Sequence, residues 1–145
     1  MSESKQVDIL IENARIIDGT GSPAFVGGLS IIGNKIDAVG DVRHLKGNHK
    51  IDAKGSVISP GFIDCHTHDD NVLLHDQQMS CKVTQGVTTV VAGNCGISLA
   101  PFVPSSDFEM PIPMSLLGRK NEYNFPSFAD YFKAFELSPP AIFQM

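Results

Sequence analysis

The stretch Ser59-Pro60-Gly61-Phe62-Ile63-Asp64-Cys65-His66-Thr67-His68-Asp69-Asp70 constrains the fold of this chain more than any other. Pro60-Gly61 punctuates, and a short apolar run then leads into two histidines one residue apart. On an extended strand alternate side chains share a face, so Phe62, Asp64, His66 and His68 fall on one side and Ile63, Cys65 and Thr67 on the other. Two imidazoles on one face at the end of a strand can converge on a single ion, and neutral imidazole is a common ligand of zinc and similar metals. Taken alone, His-x-His is equally compatible with two solvated loop histidines. The flanking sequence has to decide.

Downstream of the histidines, Met79-Ser80-Cys81-Lys82-Val83-Thr84-Gln85 has helical spacing, with Met79 and Val83 four apart and Gly86 placed as a C-terminal cap. Val87-Thr88-Thr89-Val90-Val91-Ala92 is a β-branched run of the kind buried in parallel sheets, and it ends in Gly93-Asn94-Cys95-Gly96. Strand, helix, strand makes one βα unit and the start of the next. Functional groups in such sheets gather at the carboxyl ends of strands. His66 and His68 end the first strand and Cys95 ends the second, which predicts all three on one rim. Cys95 also has a plainer reading as a buried inert thiol. Cys65 points away from His66 and reads as packing, and Cys81 reads as an inert helix residue. Asp64 is expected to hold a hydrogen bond, Asp69 and Asp70 to shape the rim or cap the residues after them. His75 is an unassigned surface candidate.

Residues Val7 to Ile58 read as short strands broken by turns. Val7-Asp8-Ile9-Leu10-Ile11 and Ala14-Arg15-Ile16-Ile17 are separated by Glu12-Asn13, and Gly33-Asn34-Lys35 is a tight hairpin signal between Leu29-Ser30-Ile31-Ile32 and Ile36-Asp37-Ala38-Val39-Gly40. The pattern suggests half of a small antiparallel sandwich or barrel without chemistry of its own. His44 and His49 sit in its polar Arg43-to-Lys50 segment and read as solvated surface residues. The expected division is a β-sandwich segment at 1–58 and an α/β segment at 59–145, the latter with a Pro-rich loop at about 99–126. A loop of that length often lies over a site. Ser127 then caps an amphipathic helix with Asp130 in the capping-box position, and Phe128, Tyr131, Phe132 and Phe135 form a stripe expected to face the core. Pro139-Pro140 stops it.

Composition excludes several function classes. The 145 residues are 42% apolar, enough to bury a core, and carry a net charge of −5 with no basic stripe, which argues against nucleic acid as a partner. No apolar run approaches the roughly 18 residues of a membrane-spanning helix, and the polar start Met-Ser-Glu-Ser-Lys-Gln has no signal-peptide core. Three cysteines, an odd number without framework spacing, suit a reducing compartment. A cytoplasmic protein, associated with neither membrane nor nucleic acid, is expected.

Gly61-Phe62-Ile63-Asp64-Cys65-His66-Thr67-His68 behind a small β segment resembles the amidohydrolase superfamily of metal-dependent hydrolases. Gln85-Gly86-Val87-Thr88-Thr89-Val90-Val91-Ala92-Gly93-Asn94-Cys95-Gly96-Ile97-Ser98-Leu99-Ala100-Pro101, with Ser127-Phe128-Ala129-Asp130-Tyr131 and Pro139-Pro140, resembles its N-acyl-D-amino-acid deacylases (D-aminoacylases). The resemblance runs from Asp8 to about Ala141. It implies an α/β fold in which the N-terminal half of a small β-sandwich precedes the first βα units of a (β/α)8 barrel. It also implies His66, His68 and Cys95 as metal ligands, with Cys95 a thiolate holding one tightly bound Zn²⁺ and able to bridge to a second, weaker site. Zinc would activate water and polarise the amide carbonyl of a small-molecule N-acyl-D-amino acid, releasing a carboxylate and a D-amino acid. Relatives that use a carboxylated lysine as the bridge, the hydantoinases and dihydroorotases, are the alternative within the superfamily. Asn94-Cys95-Gly96 argues against them.

Length is where the sequence departs from that family. A (β/α)8 barrel takes roughly 250 residues, and about two of its strands are legible here. The family's catalytic aspartate, its general acid/base, and its remaining histidine ligands come from later strands, so no catalytic residue is assigned within the chain. The expectation is a piece of a longer hydrolase that is inactive alone. The competing reading is a non-catalytic remnant that binds metal or a partner through exposed strand edges.

Overall fold

In the computed structural model, which describes residues 4–145, the chain divides between Pro60 and Gly61 into two units. The first is a sheet built on β1 (Gln6–Ile16), joined by β2 (Phe25–Ile32), β3 (Lys35–Gly40), β4 (Lys46–Asp52) and β5 (Val57–Ile58). Strand order is β3-β2-β1-β4, with β5 also on β1. The two strands expected around Glu12-Asn13 are one. A register shift between Ile11 and Ala14, with Asn13 at φ 57°, absorbs the irregularity without breaking the ladder. The β2–β3 hairpin turns at Gly33-Asn34 as its residues require, and the Gly33 amide donates to Asp8 Oδ2 at 2.7 Å.

The sheet is mixed, which corrects the antiparallel expectation. β4 and β5 both run parallel to β1, from Gln6 opposite Lys46 to Ile16 opposite Ile58. Val42 and Leu45 carry the chain between β3 and β4 and pack with Val7 and Leu10 of β1, so the crossover is itself part of the core. His44 and His49 are exposed, as their polar surroundings imply.

The second unit opens with β6 (Phe62–Thr67), followed by α1 (Asp70–His75), α2 (Ser80–Val83) and β7 (Val87–Ala92). After a long connection come α4 (Phe128–Leu137) and β8 (Phe143–Gln144), with α3 (Ile112–Ser115) and a 3₁₀ turn at Lys120–Glu122 inside the connection. The three strands form an all-parallel sheet, β6-β7-β8. It contains one strand more than the sequence suggested, because the apolar tail after Pro139-Pro140 pairs with β7. Gly61 lets β6 approach β7 closely: a Cβ there would lie 2.1 Å from Thr88 Oγ1. Two clusters fill the unit. Leu73, Met79, Val90 and Ile142 pack behind the sheet, and Leu99, Ala100, Leu117, Tyr123 and Tyr131 pack under the long connection.

Other details also depart from the sequence reading. α1 has no counterpart in it. α2 is shorter than expected at both ends: Met79, fully buried, takes φ 45° and the helix starts one residue later, and it ends at Val83, before Thr84 and Gln85. Ser127 does cap α4, its Oγ accepting from the Asp130 amide at 3.2 Å. Only Tyr131 of the aromatic stripe is fully buried, however. Phe128 and Phe132 are 51% and 44% exposed and face a cavity of about 900 Å³ rather than the core. Phe62 and Ile63, on opposite faces of β6, are both mostly exposed. No helix among the described residues is long and apolar enough to cross a membrane.

Candidate metal centre

The strand ends create the site. β6 and β7 are parallel, with Thr67 opposite Ala92, so the residues just beyond each strand come out side by side. His66 is the penultimate residue of β6 and His68 follows its last. After β7, Gly93 at φ 74° turns the backbone into Asn94-Cys95-Gly96. The nitrogens of His66 and His68 and the sulfur of Cys95 all lie within 4.8 Å of one another. Cys95 Sγ is 3.9 Å from the His68 ring nitrogens, and the two imidazoles stand edge-on at 61° with centroids 5.7 Å apart. All three side chains are exposed on the rim.

This donor set fits zinc. Four-coordinate zinc with Zn–N of about 2.0–2.1 Å and Zn–S of about 2.3 Å sets neighbouring ligand atoms about 3.3–3.6 Å apart. The observed spacings need only small side-chain rotations to reach that range. Two imidazoles and one thiolate are also the borderline-soft combination that zinc favours.

A second layer of polar residues holds the strand ends in place. Lys82 of α2 donates from Nζ to Asp64 Oδ2 at 2.7 Å and to Thr67 Oγ1 at 3.2 Å, and pairs with Asp69 Oδ2 at 2.9 Å. Thr67 Oγ1 donates to Asp69 Oδ2 at 2.6 Å, and the His66 amide donates to Asp64 Oδ1 at 3.3 Å. The Lys82 ammonium, then the His66 amide, hold the Asp64 carboxyl below its ordinary range. Burial opposes the charge on Lys82, but the carboxylates of Asp64 and Asp69 outweigh it and push its pKa up. Across the strands, Asn94 Nδ2 donates to the Cys65 carbonyl at 2.8 Å.

Asp64 thus takes the hydrogen-bonding role read from its position. Cys65, expected as packing, is exposed. Cys81 is also exposed. His75 lies 3.8 Å from Glu122, away from the cluster's donor atoms, on an open cleft that it shares with His68 and Arg119. Lys82 escapes sequence reasoning, since no local pattern marks it. The two carboxylates it serves lie 18 and 13 residues away in sequence.

The chain is similar to several known proteins. The profile of the amidohydrolase family matches residues 50–118. The chain is 47% identical over 137 residues to an N-acyl-D-aspartate deacylase of Alcaligenes xylosoxydans xylosoxydans, covering 94% of the chain and 27% of that protein. It superimposes on the structure of a D-aminoacylase described as having a binuclear metal centre, with TM-score 0.88 and 43% identity over 95% of the chain and 28% of that one. It also superimposes on an N-acyl-D-glutamate deacylase from Bordetella bronchiseptica complexed with zinc and a phosphonate inhibitor, with TM-score 0.86 and 35% identity over 97% of the chain and 29% of that one. The chain therefore spans between a quarter and a third of the length of these relatives. Its fold is that of the corresponding part of a D-aminoacylase, a small β-sandwich portion followed by an incomplete barrel. The chain belongs to the N-acyl-D-amino-acid deacylase family of the amidohydrolases.

Proposed function

We propose that His66, His68 and Cys95 are the zinc ligands contributed by this part of a hydrolase that cleaves the amide bond of small N-acyl-D-amino acids. The observation that carries the proposal is the convergence of two imidazoles and a thiol within 4.8 Å at the ends of adjacent parallel strands. The zinc-complexed N-acyl-D-glutamate deacylase, 35% identical to this chain, supports the choice of metal. Bound there, the ion would supply Lewis-acid activation of water and of the amide carbonyl. In the net reaction water adds to the acyl carbon, the C–N bond breaks, and a carboxylate and a D-amino acid leave. The residues present bind and orient: Asn94 ties the two strand ends together, Lys82 holds the end of β6 to α2, and Asp64 fixes the His66 backbone. Cys95, as a thiolate, can also face a second, weaker metal position, in keeping with the binuclear centre of the D-aminoacylase.

The domain reading belongs to the same proposal, with 1–58 as a sandwich segment and 59–145 as the start of a barrel. A proton-transferring carboxylate would come from residues other than these 145, so this chain alone is inferred to be inactive. Three free, exposed cysteines are in keeping with a reducing, cytoplasmic setting.

The test is alkylation mapped by mass spectrometry, run beside an assay with N-acetyl-D- and N-acetyl-L-amino acids. Stoichiometric zinc should protect Cys95 and leave Cys65 and Cys81 reactive, since all three are exposed. Equal protection of all three, or of none, would defeat the ligand assignment. Turnover by the 145 residues alone would defeat the inference that they are inactive. Preference for the L-enantiomer in a chain of the relatives' length would defeat the substrate assignment.

A further inference from the structure

Asp70 stands two residues beyond His68 and is fully buried at the start of α1. Its Oδ1 accepts from Ser98 Oγ at 2.6 Å and from the Leu99 amide at 3.3 Å, and Ser98 lies three residues beyond Cys95. Asp70 Oδ2 has no hydrogen-bond partner among the described residues. A buried carboxyl with one orphaned oxygen is costly, and an apolar side chain would serve packing better. The backbone of Asp70 is itself fixed, its carbonyl accepting from the buried Tyr131 hydroxyl at 2.8 Å.

Leu99 and Ala100 are themselves buried in the core under the long connection, but the turn that leads from Cys95 to them has few ties of its own. Gly93 and Gly96 both adopt positive φ, and Cys95 between them is exposed, its sulfur 3.9 Å from the His68 ring nitrogens. The turn closes on one backbone bond, Gly96 N to Gly93 O at 2.9 Å. Asn94 ties the N-terminal side of Cys95 to β6 through Cys65, while Asp70 ties the C-terminal side to the residue pair after His68. We propose that Asp70 is a positioning residue of the metal centre: its carboxyl pins the turn after Cys95 to the end of β6 and so sets the separation between thiol and imidazoles. The inference rests on the ligand assignment above. Asp70 touches neither substrate nor ligand atoms in this role.

The experiment compares Asp70→Leu, Asp70→Asn and Ser98→Ala with the unaltered protein. It reads amide hydrogen exchange of the metal-free form and then titrates cobalt(II), whose thiolate charge-transfer band reports the Cys95 bond. Asp70→Leu and Ser98→Ala should speed exchange at Gly96 to Leu99 by about tenfold, without matching change in β1 to β5. They should weaken cobalt binding by about tenfold and dim the charge-transfer band. Asp70→Asn keeps an acceptor oxygen for Ser98 and Leu99 and should restore both readouts. Unchanged exchange at Gly96 to Leu99 in Asp70→Leu and Ser98→Ala would overturn the pin. Faster exchange with unchanged cobalt affinity would overturn its role in positioning. If the unaltered protein takes no cobalt, the ligand assignment itself fails, while the exchange data still decide whether the pin exists.

Discussion

The side-chain amide of Asn94 donates to the backbone carbonyl of Cys65 at 2.8 Å, joining the residue before the thiol to the residue before the first imidazole. The bond lies on the surface, so its net worth is about 1 kcal/mol. Its position matters more than its strength. Asn94→Ala should cost about that much stability in urea unfolding but weaken zinc binding by about tenfold. Asn94→Asp should do no better, because a carboxylate cannot donate to a carbonyl. A rescue by aspartate would show that the hydrogen bond is not what matters at this position.

Lys82 invites a different test, since it serves two carboxylates at once. Replacing it with methionine leaves Asp64 and Asp69 facing each other without a cation, while Lys82→Arg keeps the charge. Methionine should lower the melting temperature clearly and arginine only slightly. The pH dependence has a definite sign. Asp64 is held below the ordinary carboxylate range by Lys82, so its contribution is full above that range and is lost as pH falls through its own lowered value. Lys82→Met should therefore lose stability at neutral pH and show a flatter acid limb than the parent. Parallel acid limbs in the two proteins would contradict the assignment.

The candidate ligands were legible in the sequence because strand polarity is a local property: His66 and His68 come at the carboxyl end of one strand, and Cys95 follows the end of the next. What was not legible depended on partners distant in sequence. The parallel pairing of β4 with β1 comes from Val42 and Leu45 burying against Val7 and Leu10, a contact no window of the sequence displays. Asn13 breaks the apolar pattern of β1 yet is accommodated as a bulge, so one strand reads as two. Cys65, Phe128 and Phe132 point inward on periodicity alone, which tells which face a residue shares but not whether that face is covered. Lys82 and Asp70 act through carboxyl, hydroxyl and amide groups 13 to 29 residues away, so their roles appear only once the strands are assembled.

The two tyrosines of the chain supply a pH prediction at the alkaline end. Burial raises the Tyr131 pKa, against the opposing hydrogen bond to Gln144, and burial likewise raises that of Tyr123. A raised pKa means that the folded state keeps its proton where the unfolded state has lost it. Their contribution is thus complete below about pH 10 and declines above it, by up to about 1.4 kcal/mol per pH unit for Tyr131. Tyrosinate absorbance should appear only together with unfolding of the second unit. Tyr131→Phe should flatten the alkaline decline while costing stability at neutral pH, because its bonds to Asp70 and Gln144 go with it. A tyrosinate signal near pH 10 in the still-folded protein would contradict the burial argument.

Gly61 makes the most specific packing prediction. A Cβ at this position would sit 2.1 Å from Thr88 Oγ1, 2.2 Å from its Cγ2 and 2.7 Å from its Cβ. Rotating the threonine can move the first two atoms, but the third is fixed to the backbone of β7. Gly61→Ala should therefore push β6 away from β7 and destabilise by about 1–3 kcal/mol, the usual cost of overpacking. Because His66 is on β6 and Cys95 follows the end of β7, zinc affinity should fall with it. Thr88→Ala leaves the offending Cβ and should relieve the clash only in part, whereas Thr88→Gly removes it. Glycine in a strand carries its own penalty of about 1 kcal/mol, so the comparison has to be a double-mutant cycle. The Gly61→Ala, Thr88→Gly pair should be more stable than the sum of its single effects by more than about 1 kcal/mol. Additive effects would mean that the strands adjust to the extra methyl and that Gly61 is not what sets the approach of β6 to β7.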